Sequence, residues 1–293
     1  FYDATNDRIY SFAVRQSDAR LGLTCAQDVS TAVPSACATA FVDFGAAGGS
    51  STYYGGQAVR IGDKIYMRGA ASGQPLLCFD IATSAKCGGT GLVTSGLTGD
   101  GDWTNNRLLA VGTKVFVSTG TQLGCFDTST AAMCSGFGTS GLVTGTTERA
   151  LFYTTDGSGN ATQVCAYRNG ACWNATTGVP GTLPSGFTTY NSYNTIWDGW
   201  GALTNVGTKV FYYDNNYKSA CFDFSTNALC AGFTPTNMGD KPYATSQDPE
   251  NSACLWSNSN SGTIKSYSLA TGATPCTRQD TVVLSYSDAD PLL

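Results

Sequence analysis

Residues 123–134 read LGCFDTSTAAMC, and related stretches read LLCFDIATSAKC at 76–87 and SACFDFSTNALC at 219–230. Each copy contains Cys-Phe-Asp, then six residues, then a second Cys. Apolar residues before the motif and Ser, Thr, Asn and Ala residues after it predict a strand, a turn and a second strand. A unit that recurs in this way along one chain is the signature of a repeat architecture.

A second recurring segment precedes each motif: IGDKIYMRG at 61–69, VGTKVFVSTG at 111–120 and VGTKVFYYD at 206–214. A Gly-Asp or Gly-Thr pair followed by alternating apolar residues predicts a β-hairpin. The two hairpin strands, the motif strand and a strand opened by the second Cys give four antiparallel strands per unit. Four such strands are the composition of a propeller blade.

Weaker copies of these segments lie at 6–14, 148–157 and 253–276. The chain then holds six units of about 49 residues, within the range of propeller repeats, with seven shorter units as the alternative. The sequence therefore predicts an all-β fold, a β-propeller of six four-stranded blades, as a single domain over residues 1–293. The N-terminal segment and the strand-like C-terminal TVVLSYSDADPLL are predicted to meet in one sheet, which closes the ring.

The chain has twelve cysteines and no histidine. An even number of cysteines without histidine or CxxC pairs indicates disulfides rather than zinc or haem, and therefore an extracellular or cell-surface protein. The two cysteines of each motif face each other across a hairpin. Facing residues outside the hydrogen-bonded pairs lie about 4.5 Å apart, which a disulfide accepts. Each bridge is expected to contribute about 2–3 kcal/mol.

Two units are predicted to keep a bridge in a changed position. In the fourth unit Gly181 stands where the second motif cysteine is expected, so the partner of Cys172 is Cys165. In the last unit Ser266 replaces the first motif cysteine, and the bridge connects the preceding strand instead. The predicted pairs are Cys25–Cys37, Cys78–Cys87, Cys125–Cys134, Cys165–Cys172, Cys221–Cys230 and Cys254–Cys276.

The repeats resemble the blade pattern of quinoprotein-type and kelch-like propellers, in which Gly-Thr-Lys-Val-Phe-Val precedes a segment like Cys-Phe-Asp-Thr-Ser-Thr. The stretch GTIKSYSLATGA at 262–273 fits this pattern as well. The added cysteine pairs are similar to those of secreted bacterial surface proteins. The resemblance implies an architecture over nearly the whole chain. It carries over no pyrroloquinoline quinone site and no catalytic residue, because fold likeness alone does not establish function.

Composition argues against several classes of function. With 13% charged residues and a net charge of −5, the chain lacks the basic surface that nucleic acid or an anionic membrane requires. The absence of about 18 consecutive apolar residues predicts no membrane span. Without histidine, Ser-His and Cys-His catalytic arrangements are excluded. A start at Phe-Tyr-Asp indicates a processed chain or a piece of a longer one.

The connections between the fourth strand of one unit and the first strand of the next are the predicted binding face. They span 48–56, 99–106, 190–201 and 238–251, and they combine aromatic residues with Asp, Asn and Glu. Aromatic rings stack on sugars, and carboxylates and amides bond to their hydroxyls. The candidate ligand-binding residues are Tyr54, Trp103, Trp197, Asp198, Trp200 and Tyr243. The alternative is that Tyr54, Trp103 and Trp200 are repeat positions that pack under the blade edge.

Other candidate sites have weaker support. A calcium ion is the one cofactor considered, at Asp100 and Asp102 or at Asp156, because clustered oxygen ligands suit hard cations. Asp-Gly sequences of this kind are more often turns. Asn160 and Asn174 begin N-glycosylation sequons, which have meaning in a host that modifies them.

The sequence favours an extracellular binding or adhesion module that recognises a glycan or a cell-surface protein. One alternative is a secreted carbohydrate-active enzyme of glycosidase type, which needs two carboxylates at a defined separation. The other is a structural subunit of a surface layer or filament, which self-associates. No residue is assigned a catalytic role.

Overall fold

The structure is a computed structural model of the 293-residue chain. It describes residues 1–3, 5–15, 18, 20–30, 35–47, 57–68, 75–94, 97, 108–119, 121–145, 151–167, 170–188, 203–213, 218–237, 242–247, 251–259, 263–274, 276 and 282–283. These residues fall into two compact units, one that extends to Ser135 and one that begins at Gly136. The expectation of one domain over the whole chain stays a prediction.

The first unit contains three antiparallel sheets. Sheet 1 consists of β1 (Tyr2–Asp3), β2 (Arg8–Arg15), β3 (Arg20–Gln27) and β4 (Ser35–Ala47). Sheet 2 consists of β5 (Gln57–Ile61), β6 (Lys64–Arg68), β7 (Leu76–Asp80) and β8 (Ala85–Lys86), with β9 (Leu92–Thr94) also paired to β7. Sheet 3 contains β10 (Leu108–Val111), β11 (Lys114–Ser118), β12 (Gln122–Asp127) and β13 (Ala132–Met133).

The second unit begins with β14 (Leu142–Thr144) and contains three further sheets. Sheet 4 consists of β15 (Leu151–Thr155), β16 (Ala161–Ala166), β17 (Ala171–Asn174) and β18 (Pro180–Thr182), followed by the short helix α1 (Ser185–Thr188). Sheet 5 consists of β19 (Thr204–Val206), β20 (Lys209–Tyr213), β21 (Ser219–Asp223) and β22 (Ala228–Leu229). Sheet 6 consists of β23 (Pro242–Gln247), β24 (Cys254–Ser259), β25 (Thr263–Ser268) and β26 (Val282–Val283).

The predicted all-β class and the four-stranded antiparallel units are confirmed, because each sheet runs through its first four strands in chain order. One detail differs from the sequence analysis. The second motif cysteine directly follows the short fourth strand instead of opening it, as Cys134 follows β13. In the C-terminal segment, the described residues Val282 and Val283 pair with Ile264 and Thr263 and form the fourth strand of sheet 6. The expected meeting of the chain ends in one sheet stays a prediction, because residues 284–293 lie outside the described residues.

The predicted hairpins form at the Gly-Asp and Gly-Thr pairs. Gly62, Gly112 and Gly207 all have φ of +58°, and the residues on either side of each turn are paired in the sheet. Two-residue hairpin turns with Gly at the first central position need this left-handed backbone. An added Cβ meets no atom within 4 Å at any of the three positions. The backbone angle, not crowding, is therefore the reason for glycine.

Each residue of the Cys-Phe-Asp motif has its own structural role. In sheet 3, Cys125 forms a disulfide with Cys134, and Phe126 is buried on the opposite side of the strand. The Asp127 carboxylate accepts hydrogen bonds from the Ser129 amide at 2.9 Å and the Ser129 hydroxyl at 2.6 Å. The motif therefore closes a hairpin, buries an aromatic ring and caps the turn that follows.

All six predicted disulfides are confirmed, and all twelve cysteines are paired. The expected spacing is wrong for the motif bridges. The Cα atoms of Cys125 and Cys134 are 5.3 Å apart, and the Cys134 amide donates to the Cys125 carbonyl at 2.9 Å. The shorter spacing belongs to Cys165 and Cys172, which face each other directly with Cα atoms 4.0 Å apart.

Each sheet has two different faces, and in sheets 2 to 6 both faces carry buried residues. We call the cysteine face the side that holds the first motif cysteine and the second-strand residue opposite it, such as Cys78 and Tyr66. The phenylalanine face is the other side, which holds the motif Phe and its second-strand partner, such as Phe79 and Ile65. Facing residues of antiparallel strands lie on the same side of a sheet, so one alternating sequence builds two apolar surfaces.

Neighbouring sheets of the first unit stack with the same polarity. Phe79, on the phenylalanine face of sheet 2, contacts Tyr10 on the cysteine face of sheet 1 with ring centroids 5.2 Å apart. Phe126 of sheet 3 has the same relation to Tyr66 of sheet 2, at 6.2 Å. The motif Phe therefore joins each sheet to the preceding one.

The second unit repeats this arrangement with larger aromatic clusters. On the cysteine face of sheet 4, Phe152 packs against Phe187 of the helix at 5.1 Å, and Phe187 packs against Phe222 of sheet 5 at 5.3 Å. On the next pair of sheets, Tyr267 of sheet 6 contacts Tyr213 of sheet 5 at 6.2 Å. Sequence alignment correctly placed Tyr267 at the motif Phe position.

The changed bridge of sheet 4 has a packing explanation. Cys165 occupies the second-strand position that is aromatic in other sheets, such as Tyr66 and Phe211, so Cys172 has a sulfur partner across this strand pair. Gly181 faces Cys172 on the other side, as predicted. A Cβ at Gly181 lies 2.3 Å from Oε1 of Gln163. The Gln163 side chain therefore uses the space in which the other sheets hold the second cysteine.

Candidate functional site

Each sheet has two ends with different connections. At the loop end, the first strand begins and the second strand finishes, as Gln57 pairs with Arg68 in sheet 2. At the turn end of sheets 2 to 5, short turns connect the first strand to the second and the third to the fourth. Three of the segments predicted to bind ligand, 48–56, 99–106 and 190–201, precede β5, β10 and β19 and are therefore connected to the sheets at the loop end. The prediction that 238–251 is a connection throughout is wrong, because this segment contains β23, the first strand of sheet 6, and Tyr243 lies in that strand.

Five of the six candidate ligand-binding residues lie outside the described residues: Tyr54, Trp103, Trp197, Asp198 and Trp200. Tyr243 lies in β23, at the register shift between Pro242 and Ala244. Such an irregularity re-aims the chain locally. The assignment of these residues to a ligand stays a prediction, as does the alternative of packing under the blade edge.

Of the three calcium candidates, Asp100 and Asp102 lie outside the described residues, and Asp156 is engaged by its own turn. The Asp156 carboxylate accepts the amides of Ser158 at 2.8 Å and Asn160 at 2.9 Å, and the Asn160 side-chain nitrogen at 3.0 Å. The Asn160 side chain, followed by these amides, lowers the pKa of Asp156. Among the described residues, no group of three or more His, Cys, Asp or Glu side chains is placed to hold a metal.

The sequence analysis missed a set of buried polar residues at or near the loop end. Arg68 is only 1% exposed, and its Nη1 donates to the Ser118 carbonyl of the adjacent sheet at 3.1 Å. A buried charge is costly unless hydrogen bonds compensate it. The residues with this combination of burial and polarity are Arg68, Ser118, Thr119, Tyr213, Ser219 and Ser257.

Two tyrosines and a serine form a buried hydroxyl cluster in the second unit. Tyr213, Tyr267 and Ser257 are all buried, and the two rings meet edge to face with centroids 6.2 Å apart. Burial raises the pKa of both phenols. Both hydroxyls are therefore neutral at physiological pH.

A sequence signal for these residues exists in the repeat itself. Arg68, Ser118 and Tyr213 follow the second-strand aromatic residue by two positions in their sheets. This position carries a polar group in all three copies, on the cysteine face and next to the loop end. The polar residue is easily missed when IYMR, VFVS and VFYY are treated as uniformly apolar strands.

Disulfides and a buried hydrogen bond hold together the strands to which the predicted binding segments are connected. The motif disulfides of sheets 2, 3 and 5 connect the third strand to the residue that follows the fourth, whereas Cys165–Cys172 connects the second and third strands of sheet 4. Arg68 ties sheet 2 to sheet 3 at the loop end. Binding residues are often carried on loops that a rigid scaffold positions.

Comparison with known proteins identifies no family. No family model matches the chain, and no curated protein matches it. A solved structure with a similar arrangement is the computationally designed Ika8 protein, at 14% identity and a TM-score of 0.49, over 91% of this chain and 70% of that one. Because this TM-score is below 0.5, the likeness does not establish a common fold. In the part of the chain that the structure describes, no helix combines the length and apolarity needed to cross a membrane.

Proposed function

We propose that the chain is an extracellular binding module that recognises a glycan at the loop ends of its sheets. The supporting observation is the contrast between the two ends. Turn-end carboxylates such as Asp127 and Asp156 are occupied by their own turns. The segments rich in Trp, Tyr and Asp enter at the other end, next to the buried polar residues Arg68 and Tyr213.

The six sheets are, in this proposal, the blades of one propeller of the quinoprotein-type or kelch-like kind. Support comes from the repeated stacking of a phenylalanine face on the preceding cysteine face within each unit. In a closed ring, both faces of every blade are covered. This brings the connections from fourth to first strands together around one mouth, where a ligand can contact several of them.

The disulfides support the proposed extracellular compartment. Six disulfides persist in an oxidising environment such as the cell exterior, and they use every cysteine of the chain. We therefore place the protein outside the cell or at its surface, where glycans and surface proteins are the available partners.

A glycan-array screen of the purified protein, run with calcium and with chelator, tests the proposal. The decisive variant is Trp197→Ala, and Val179→Ala is the control, because Val179 is exposed and lies at the turn end of sheet 4. Reproducible binding that is lost in Trp197→Ala and kept in Val179→Ala supports a glycan site at the loop ends. A blank array, or equal binding by all three proteins, refutes it. Sensitivity to chelator would add a metal to the site.

Self-association is a second candidate function, favoured by one exposed surface. Ile9 is 42% exposed, whereas its counterparts beside the motif Phe position are buried in the other five sheets (Ile65, Val115, Val164, Val210 and Leu255, each 0%). The phenylalanine face of sheet 1 therefore lacks the cover that the other sheets have. A closed propeller and a filament both supply that cover, the first within one molecule and the second between molecules.

The variant Ile9→Asp separates these two outcomes. If the face is covered within one molecule, the substitution lowers the melting temperature at every protein concentration. If it is covered between molecules, the substitution abolishes concentration-dependent assembly in analytical ultracentrifugation and leaves the monomer's melting temperature unchanged. A monomer of unaltered stability before and after the substitution excludes both forms of cover.

A further inference from the structure

Asn174 takes the place of the motif aspartate in sheet 4. The equivalent residues in sheets 2, 3 and 5 are Asp80, Asp127 and Asp223, each of which follows the motif aromatic residue. Oδ1 of Asn174 accepts the backbone amides of Thr176 and Thr177, both at 2.9 Å. The side-chain oxygen of Asn174 therefore performs the turn-capping role that the carboxylate performs elsewhere.

An asparagine at this position supplies something that an aspartate cannot. The cap uses only Oδ1, and none of the hydrogen bonds among the described residues involves Nδ2 of Asn174. The residue is exposed at the turn end, and so is Thr176, whose amide serves the cap while its hydroxyl is not used by it. Asn174-Ala175-Thr176 is an acceptor sequon for N-glycosylation.

The other sequon has both of its essential groups engaged by the fold. Nδ2 of Asn160 donates to Oδ2 of Asp156 at 3.0 Å. The Thr162 hydroxyl lies 2.8 Å from the hydroxyl of buried Thr154. A glycan on Asn160 would be attached to the nitrogen that donates to Asp156. A glycan on Asn174 leaves both described hydrogen bonds of the Asn174 turn intact, because they use Oδ1.

We propose that Asn174, and not Asn160, is an N-glycan attachment site when the chain is secreted through a pathway that modifies asparagine. The donor is a diphosphate-activated oligosaccharide. A bond forms between Nδ2 and the sugar C1 as the bond from C1 to the diphosphate oxygen breaks, the diphosphate leaves, and Nδ2 gives up one proton. The inference rests on the extracellular location proposed above but is independent of what the protein binds.

The position of the glycan is compatible with the proposed binding face. Asn174 and the turn it caps lie at the turn end of sheet 4, opposite the loop end at which the aromatic segments enter. A bulky, hydrophilic glycan there covers solvent-exposed turn residues such as Val179, which is 60% exposed. Glycosylation at this end and ligand binding at the other can therefore occur in the same sheet.

The test is secretion of the full chain from eukaryotic cells that glycosylate asparagine, followed by peptide mapping with mass spectrometry before and after enzymatic deglycosylation. We expect one glycan per chain, on the peptide that contains Asn174. Asn174→Asp keeps the capping oxygen and is expected to lose the glycan with an unchanged melting temperature. Thr176→Ala is expected to lose the glycan, and Thr176→Ser to keep it.

Two results overturn the inference: a glycan found mainly on Asn160, or secreted protein with neither site modified. A glycan on Asn174 that persists in Thr176→Ala also contradicts the sequon as its cause. Failure of the proposed binding function gives a different result, namely a blank glycan array with Asn174 modified as expected. The two proposals can therefore fail separately.

Discussion

Removing the disulfide between Cys125 and Cys134 tests whether the motif bridges are major sources of stability. The two cysteines are nine residues apart, and closing a loop of about ten residues is worth about 2.7 kcal/mol on the chain-entropy relation. Both side chains are buried, so replacing both by Ala also removes two buried sulfur atoms, at about 1 kcal/mol each. The double variant is expected to lose about 4–5 kcal/mol of unfolding free energy in total.

Guanidinium titration followed by tryptophan fluorescence measures this loss. Two further double variants provide the matched comparison, because the loops differ while the packing loss is similar. Cys254 and Cys276 are 22 residues apart, and Cys165 and Cys172 are seven apart. The longer loop is expected to cost about 0.9 kcal/mol more than the shorter one on the same relation. A loss below about 1 kcal/mol for the Cys125/Cys134 variant, or the reverse order for the other two, refutes the reasoning.

Three other substitutions or conditions give separate checks. Gly178→Ala should lower the unfolding free energy by about 3 kcal/mol and Gly112→Ala by about 1 kcal/mol in chemical denaturation. Both glycines have positive φ, but only Gly178 has a side-chain carbon 2.4 Å from its Cβ position. Equal losses for the two variants contradict the packing argument. Burial raises the pKa of Tyr213 and Tyr267 above the unfolded value of 10.0. The contribution of the two buried neutral phenols to stability is therefore fully present below that pH and is lost as the pH rises beyond it. The melting temperature should fall more steeply with alkaline pH in the wild type than in Tyr267→Phe, which melting curves measure. Arg68→Met should lower the unfolding free energy by about 2 kcal/mol through loss of a buried charged donor, and a neutral result in denaturation excludes its structural role.

The repeat made most of the architecture predictable from sequence. Each copy has a known place for two cysteines, an aromatic ring and a turn, so a departure in one copy can be interpreted against the others. This is why the pairing of Cys165 with Cys172 followed from the position of Gly181, and why Tyr267 could be matched to the motif Phe. A disulfide framework without such repetition has many possible connectivities.

Other features depend on information that the repeat does not carry. Arg68 was overlooked because its role comes from a carbonyl in a neighbouring sheet, and no local pattern records that partner. The pairing of Val282–Val283 with the preceding strand of sheet 6 was not anticipated, because a short apolar run can pair with any open strand edge. Asn174 was recognised as a sequon but not as a turn cap, although its alignment with Asp127 contains that information.

The polarity of the sheets explains why one sheet can differ from the rest. Within each unit, a phenylalanine face packs on the cysteine face of the preceding sheet, and sheet 1 is the first sheet of the chain. In that sheet the motif Phe is replaced by Ala26, and the nearby Thr24 is exposed. Its cysteine face keeps the usual composition, with Tyr10 and Cys25 buried against sheet 2. In sheet 1 the apolar pattern is therefore lost on the phenylalanine face and kept on the cysteine face. A surface that covers Ile9 must pack against small and polar residues, because no motif aromatic ring is present there.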